Sequence, residues 1–109
     1  MAEDDRRQFP RIVSVNLVSC KEADSPDGEE SMGRTRNLSQ GGILLEVHKY
    51  YPLSSVLDIQ IALGEKIIQP AGRVVRLQEL ESDKVEMGIK FTELSEEDRE
   101  ALDGYIESL

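Results

Sequence analysis

Val56-Leu57-Asp58-Ile59-Gln60-Ile61-Ala62-Leu63-Gly64-Glu65-Lys66-Ile67-Ile68 is the stretch on which the fold turns. Leu57, Ile59, Ile61 and Leu63 recur at every second position, the period of a strand with one face in a core. Gly64-Glu65-Lys66 then closes a hairpin into a second run, 67–80. Pro70 and Gly72 interrupt that run, which predicts a bulge or bend where a sheet curls. Glu81-Ser82-Asp83 turns it into 84–92, where Val85, Met87, Ile89 and Phe91 alternate again.

Upstream, 12–20 places Val13, Val15 and Leu17 on one strand face. A polar loop over 22–30 contains the turn residues Pro26, Asp27 and Gly28. Residues 32–38 form a second strand weakened by Gly33, 43–49 a third, and 50–55 a loop. Six strands with short turns and no crossover helices predict an antiparallel barrel or sandwich. From about residue 95 the period changes. Ser95 is placed as an N-cap before Glu96, Glu97 and Asp98, acids where a helix N-terminus favours them. Leu102, Tyr105, Ile106 and Leu109 make one apolar stripe, expected to pack against the barrel. Gly104 costs the helix up to about 1 kcal/mol relative to alanine, so the helix depends on that packing.

The chain has 109 residues, which predicts a single domain, and a net charge of −9. That acidic excess argues against generic binding to DNA, RNA or an anionic membrane, which rests on cations neutralising phosphates. No apolar run reaches membrane-helix length, and the polar start, Met1 to Arg7, is unlike a signal peptide, so the expected setting is the cytoplasm. Cys20 is the only cysteine and His48 the only histidine. Neither has ligand-spaced neighbours for a metal, and nothing local makes them a nucleophile and base. Neither an enzyme nor a cofactor is expected.

The charge is uneven. Arg6, Arg7 and Arg11 lie in an acid-free stretch, and so do Arg34 and Arg36, whereas acids crowd 22–30 and 93–107. Such clearings suit a local anion site; the plainer reading is a solvated surface. Arg6-Arg7-Gln8-Phe9-Pro10-Arg11 lies just before the first strand, and Asn37-Leu38-Ser39-Gln40-Gly41-Gly42 makes a sharp polar turn between two others. Alone, the first reads as a basic arm and the second as a hairpin turn.

In this order and at this spacing the two stretches resemble the PilZ domain, the bacterial receptor module for cyclic di-GMP, whose signature is RxxxR followed by (D/N)xSxxG. Arg7 and Arg11 fill the first motif, and Asn37, Ser39 and Gly42 the second. Gly72-Arg73-Val74-Val75-Arg76 and Met87-Gly88-Ile89-Lys90-Phe91 follow in the order a PilZ barrel shows. The resemblance implies an all-β, six-stranded antiparallel PilZ-type β-barrel over 12–109 with a C-terminal α-helix. Residues 1–11 are then a flexible N-terminal segment carrying RxxxR.

The implied function is a receptor that holds the dinucleotide between the arginine motif and the NxSxxG turn and relays the signal to a protein partner. A guanidinium fork matches a phosphate or a guanine edge bidentately, and its plane stacks on a base. Residues 5–12 are expected to order over the ligand. Arg6, immediately before RxxxR, resembles the feature of members that bind a stacked ligand pair. Asn37 and Ser39 suit ligand contact, holding of the turn, or both, and Gly42 allows close backbone approach. Arg34, Arg36 and Arg73 are read as surface positions, with lining of the rim as the alternative for each. The alternatives are a PilZ-fold interaction module that does not use ligand, and a small barrel for single-stranded nucleic acid, which the net charge and few aromatics disfavour.

Overall fold

Val56–Leu63 is a strand, with Leu57, Ile59, Ile61 and Leu63 all buried. In the computed structural model, which describes residues 15–25 and 27–109, it is the fourth of seven strands. In chain order these are β1 (Leu17–Glu22), β2 (Ser31–Ser39), β3 (Gly42–Val47), β4 (Val56–Leu63), β5 (Lys66–Ile68), β6 (Ala71–Glu79) and β7 (Val85–Glu93), followed by the helix α1 (Glu96–Glu107). Every pairing is antiparallel, in the order β1-β2-β3-β7-β6-β4, and β4 pairs back onto β1 to close the ring. The molecule is a six-stranded closed barrel with one additional strand and a C-terminal helix.

The additional strand comes from Pro70. Both β5 and β6 lie on one edge of β4: Ile61 to Leu63 pair with β5, and Val56 to Asp58 pair with β6. Proline has no N–H for the ladder. Its carbonyl instead accepts from the Ile59 N–H at 3.0 Å, and the single run expected over 67–80 divides in two. Between β4 and β5 the turn is Gly64-Glu65, with Gly64 at φ +64°. Positive φ is what a two-residue hairpin asks of its first central position.

The first strand is in the opposite phase to the one expected. Val15 and Leu17 point to solvent, while Asn16, Val18 and Cys20 point inward; Val13 lies outside the described residues. Asn16 is tolerated inside because its groups are satisfied. Its backbone N–H donates to Thr35 Oγ1 at 3.0 Å, the Thr35 hydroxyl donates to Asn16 Oδ1 at 3.2 Å, and its amide donates to the Ala62 carbonyl and the Tyr105 hydroxyl. That last bond ties α1 to the barrel.

The helix is capped as expected, Ser95 Oγ accepting from the Asp98 N–H at 3.1 Å. Leu102 and Ile106 are buried, and Tyr105 packs partly against the core. Leu109 falls outside the stripe at 59% exposure, because the helix has ended at Glu107. Asp98 turns back to accept from the Gln69 N–H at 2.8 Å, a donor freed by the break before Pro70.

Candidate functional site

Register places the polar turn. The β2–β3 hairpin closes with Ser39 opposite Gly42, leaving Gln40-Gly41 as a two-residue loop. Ser39 Oγ accepts from the Gly41 N–H at 3.2 Å and donates to the Gly42 carbonyl at 3.3 Å, so the hydroxyl holds the turn. A Cβ on Gly42 would stand 2.2 Å from the Ile89 carbonyl oxygen, so β3 reaches β7 only with glycine here. The Asn37 side chain is half-buried and takes no hydrogen bond from the described residues.

Two bulges shape the outer face around this turn. In β2 the register slips between Thr35 and Asn37, which lets Met32 and Arg34 face out while Leu38 faces in. In β6 it slips between Val74 and Arg76, and the extra residue, Val75, is pushed outward. The outcome is two cross-strand rows. One runs Asn37–Leu44–Gly88–Arg76 and the other Ser39–Gly42–Lys90–Arg73. Gly88 leaves space for the arginine beside it: a Cβ there would stand 3.1 Å from Arg76 Cβ.

A groove of about 200 Å³ follows these rows, with Asn37, Ser39 and Gly42 on one side, Arg76 and Lys90 on the other, and Leu44 and Val75 between. No carboxylate lines it among the described residues. Lys90 and Arg73 form no ion pair among the described residues, and Arg76 NH2 reaches Glu86 at 3.8 Å. The groove therefore offers an apolar floor for a flat ring and cations for phosphates. Arg6, Arg7 and Arg11 lie outside the described residues.

Sequence reading did not pick out Arg76, Lys90, Val75 or Gly88 as site residues. Their segments stood in the right order, but the bulge that aims Val75 and Arg76 at the groove leaves no mark in periodicity. Arg34 and Arg36 fit the plainer reading of their acid-free stretch, a solvated surface, because register returns acids to them. Arg34 lies 3.5 Å from Glu46, and Arg36 lies 3.8 Å from Glu46 and 3.5 Å from Glu86. Lys84 closes on Glu46 at 2.8 Å. Glu46 is held below the ordinary carboxylate range, first by the Lys84 hydrogen bond and then by the surrounding cations.

A larger hollow, about 620 Å³, lies elsewhere, beside the strand break. Among the described residues Glu30, Asp58 and Glu93 line it with a single cation, Lys21, and the excess of carboxylates repels a phosphate. Cys20 is inside the barrel with His48 exposed outside, so the two do not meet. Burial, and then Glu30, push the Cys20 thiol up to about 11, away from a reactive thiolate. No group of three metal-ligating side chains occurs among the described residues. No described helix is long and apolar enough to cross a membrane.

A closed antiparallel barrel with a C-terminal helix and an acid-free groove at an NxSxxG hairpin defines a class, and comparison with known proteins names it. The sequence matches the PilZ domain over residues 5–108, and the chain belongs to that family. Among solved structures it is similar to the PilZ domain of YcgR from Escherichia coli with c-di-GMP. That likeness has a TM-score of 0.77 at 18% identity and covers 95% of this chain and 91% of that one. It is similar to the Bacillus subtilis inhibitor of motility MotI/DgrA, at TM-score 0.76 and 24% identity over 94% of this chain and 51% of that one. The K. pneumonia MrkH–c-di-GMP complex gives TM-score 0.78 at 16% identity, over 94% of this chain and 52% of that one. The chain thus spans about half the length of MotI and MrkH. Curated protein sequences yield no match.

Proposed function

We propose that the chain is a bacterial, cytoplasmic c-di-GMP receptor that binds the dinucleotide in the groove at Asn37, Ser39 and Gly42 and relays its presence to a protein partner. The observation that carries this reading is the acid-free groove. In a chain of net charge −9, register lines Asn37 up with Arg76, and Ser39 up with Lys90 and Arg73, and brings no carboxylate between them. Arg7 and Arg11 fork the phosphates or a guanine edge from the other side, as the motif spacing implies. Residues 5–12 order over the ligand, and part of the gross binding energy is spent on that ordering. Ser39 keeps its turn bonds while a free lone pair faces the ligand. The Asn37 amide, with no protein partner among the described residues, reads a base edge or phosphate.

Isothermal titration with c-di-GMP, with GTP as control, tests the receptor role. Saturable binding of the cyclic dinucleotide alone is expected. A stoichiometry of two that falls to one in Arg6→Ala supports pairing by Arg6. Heat silence from a folded, ligand-free sample contradicts the reading and leaves the ligand-independent interaction module.

A further inference from the structure

Beyond the groove, the barrel's outer face carries a second row, Leu17–Arg34–Glu46–Glu86–Gln78, crossing β1, β2, β3, β7 and β6. Its apolar end is unusual. Val15 is 74% exposed, Leu17 67%, Met32 60% and Ile67 57%. In a barrel strand with one solvated face, the outward positions are ordinarily polar. Here the start of β1 and the residues just before it place Leu17 and Val15 in water and keep Asn16 inside. Neighbouring exposed apolar side chains of this kind mark contact surfaces.

The other end is cationic. Arg34, Arg36, Arg76 and Lys84 surround only Glu46 and Glu86, an excess of positive charge on a chain of net charge −9. A hollow of about 400 Å³ joins the two ends, with Leu17 and Met32 on one wall and Arg34, Lys84 and His48 on the other, Glu46 lying between the two cations. The strands beneath it offer no free edge: β1 is paired with β2 and β4, β2 with β1 and β3, and β3 with β2 and β7. A partner therefore docks through side chains, not by adding a strand.

We propose that this face docks a segment of another protein that combines apolar with acidic side chains. Its apolar residues lie on Leu17 and Met32, and its carboxylates meet Arg34 and Lys84 in competition with Glu46. The chemistry follows from the surface. Apolar contacts set beside cations ask for both kinds of group in one segment, and a nucleic acid would bring phosphates without the apolar side chains that Leu17 and Met32 call for. This gives chemical content to the partner in the proposed function. The surface stands on its own geometry, so its failure leaves ligand binding untouched.

The test selects dodecapeptides from a random displayed library against the full chain, then measures the selected peptides by fluorescence anisotropy. Selected peptides are expected to carry acids together with large apolar residues. Met32→Glu and Lys84→Glu, both surface changes, should each weaken them at least about tenfold, with circular dichroism and the c-di-GMP titration unchanged. Basic or purely apolar selections overturn the proposal, and so does binding indifferent to both substitutions. A dimer seen by light scattering and lost in Met32→Glu also overturns it, by making a second copy the occupant. Oligonucleotide binding at the same face overturns it in favour of nucleic acid.

Discussion

Two neighbouring parts of one sheet face treat charge in opposite ways. In the row Arg34–Glu46–Glu86–Gln78, two carboxylates sit directly opposite each other among four cations, so each of those cations, Arg76 at the groove's border included, already has a carboxylate beside it. One step along the strands, the rows through Asn37 and Ser39 contain cations and glycines but no acid. The first part is an ion-pair network worth little per exposed pair, in which four cations outnumber two carboxylates. The second keeps the Arg73 guanidinium and the Lys90 ammonium group, unpaired among the described residues, available for an anion. Freedom from acid is thus a property of cross-strand register. Arg34 and Arg36 stand in an acid-free stretch of sequence and are nonetheless paired, whereas Lys90 follows closely on Glu86 and is left open.

The sharpest way to separate the two parts is arginine removal. Arg11→Ala should weaken c-di-GMP binding by two orders of magnitude or more, about 3 kcal/mol, as expected for a lost bidentate contact to phosphate or base. Arg34→Ala should leave it unchanged. Titration calorimetry on both variants decides; equal affinities would erase the contrast. Next in size is Gly42→Ala, whose Cβ would meet the Ile89 carbonyl oxygen at 2.2 Å. Forcing β3 and β7 apart should cost about 1–3 kcal/mol in urea unfolding, and a variant as stable as the parent would show that the approach is adaptable.

A smaller effect is expected at Gly88→Ala. The added methyl at 3.1 Å from Arg76 Cβ should displace the arginine from the groove and lower affinity several-fold, with little loss of stability. Affinity unchanged in that variant would remove Arg76 from the site. Smallest is the acid response of the paired row. Because Glu46 is held below its ordinary range, it contributes stability above the unfolded carboxylate value. That contribution is lost as pH falls through the depressed folded value. NMR titration of the Glu46 carboxyl should show the depression shrink in Lys84→Ala, with Arg34 and Arg36 holding what remains, and a curve unaffected by that change would contradict the assigned cause.

Much of the fold could be read from residue spacing because each strand carries its own period. The strand over 56–63, the three-residue turn at Glu81-Ser82-Asp83 and the Ser95 cap depend on local chemistry alone, and they stand where the sequence puts them. The phase of β1 did not follow, since Val15 and Leu17 look like core residues until Asn16 is seen satisfied by Thr35, Ala62 and Tyr105, partners distant in sequence. At the site, Asn37, Ser39 and Gly42 could be read from the motif. Arg76 and Val75 depend on a bulge, and the pairing of Arg34 with Glu46 on register, neither of which periodicity reports.

The account rests on the acid-free groove being where c-di-GMP binds. Backbone and side-chain NMR shifts recorded through a c-di-GMP titration test that directly. The account predicts the largest changes at Asn37, Ser39, Gly42, Val75, Arg76 and Lys90, with Asp58, Gln69 and Glu93 beside the strand break unmoved. Changes centred on the strand break, with the Asn37–Gly42 hairpin still, would contradict it.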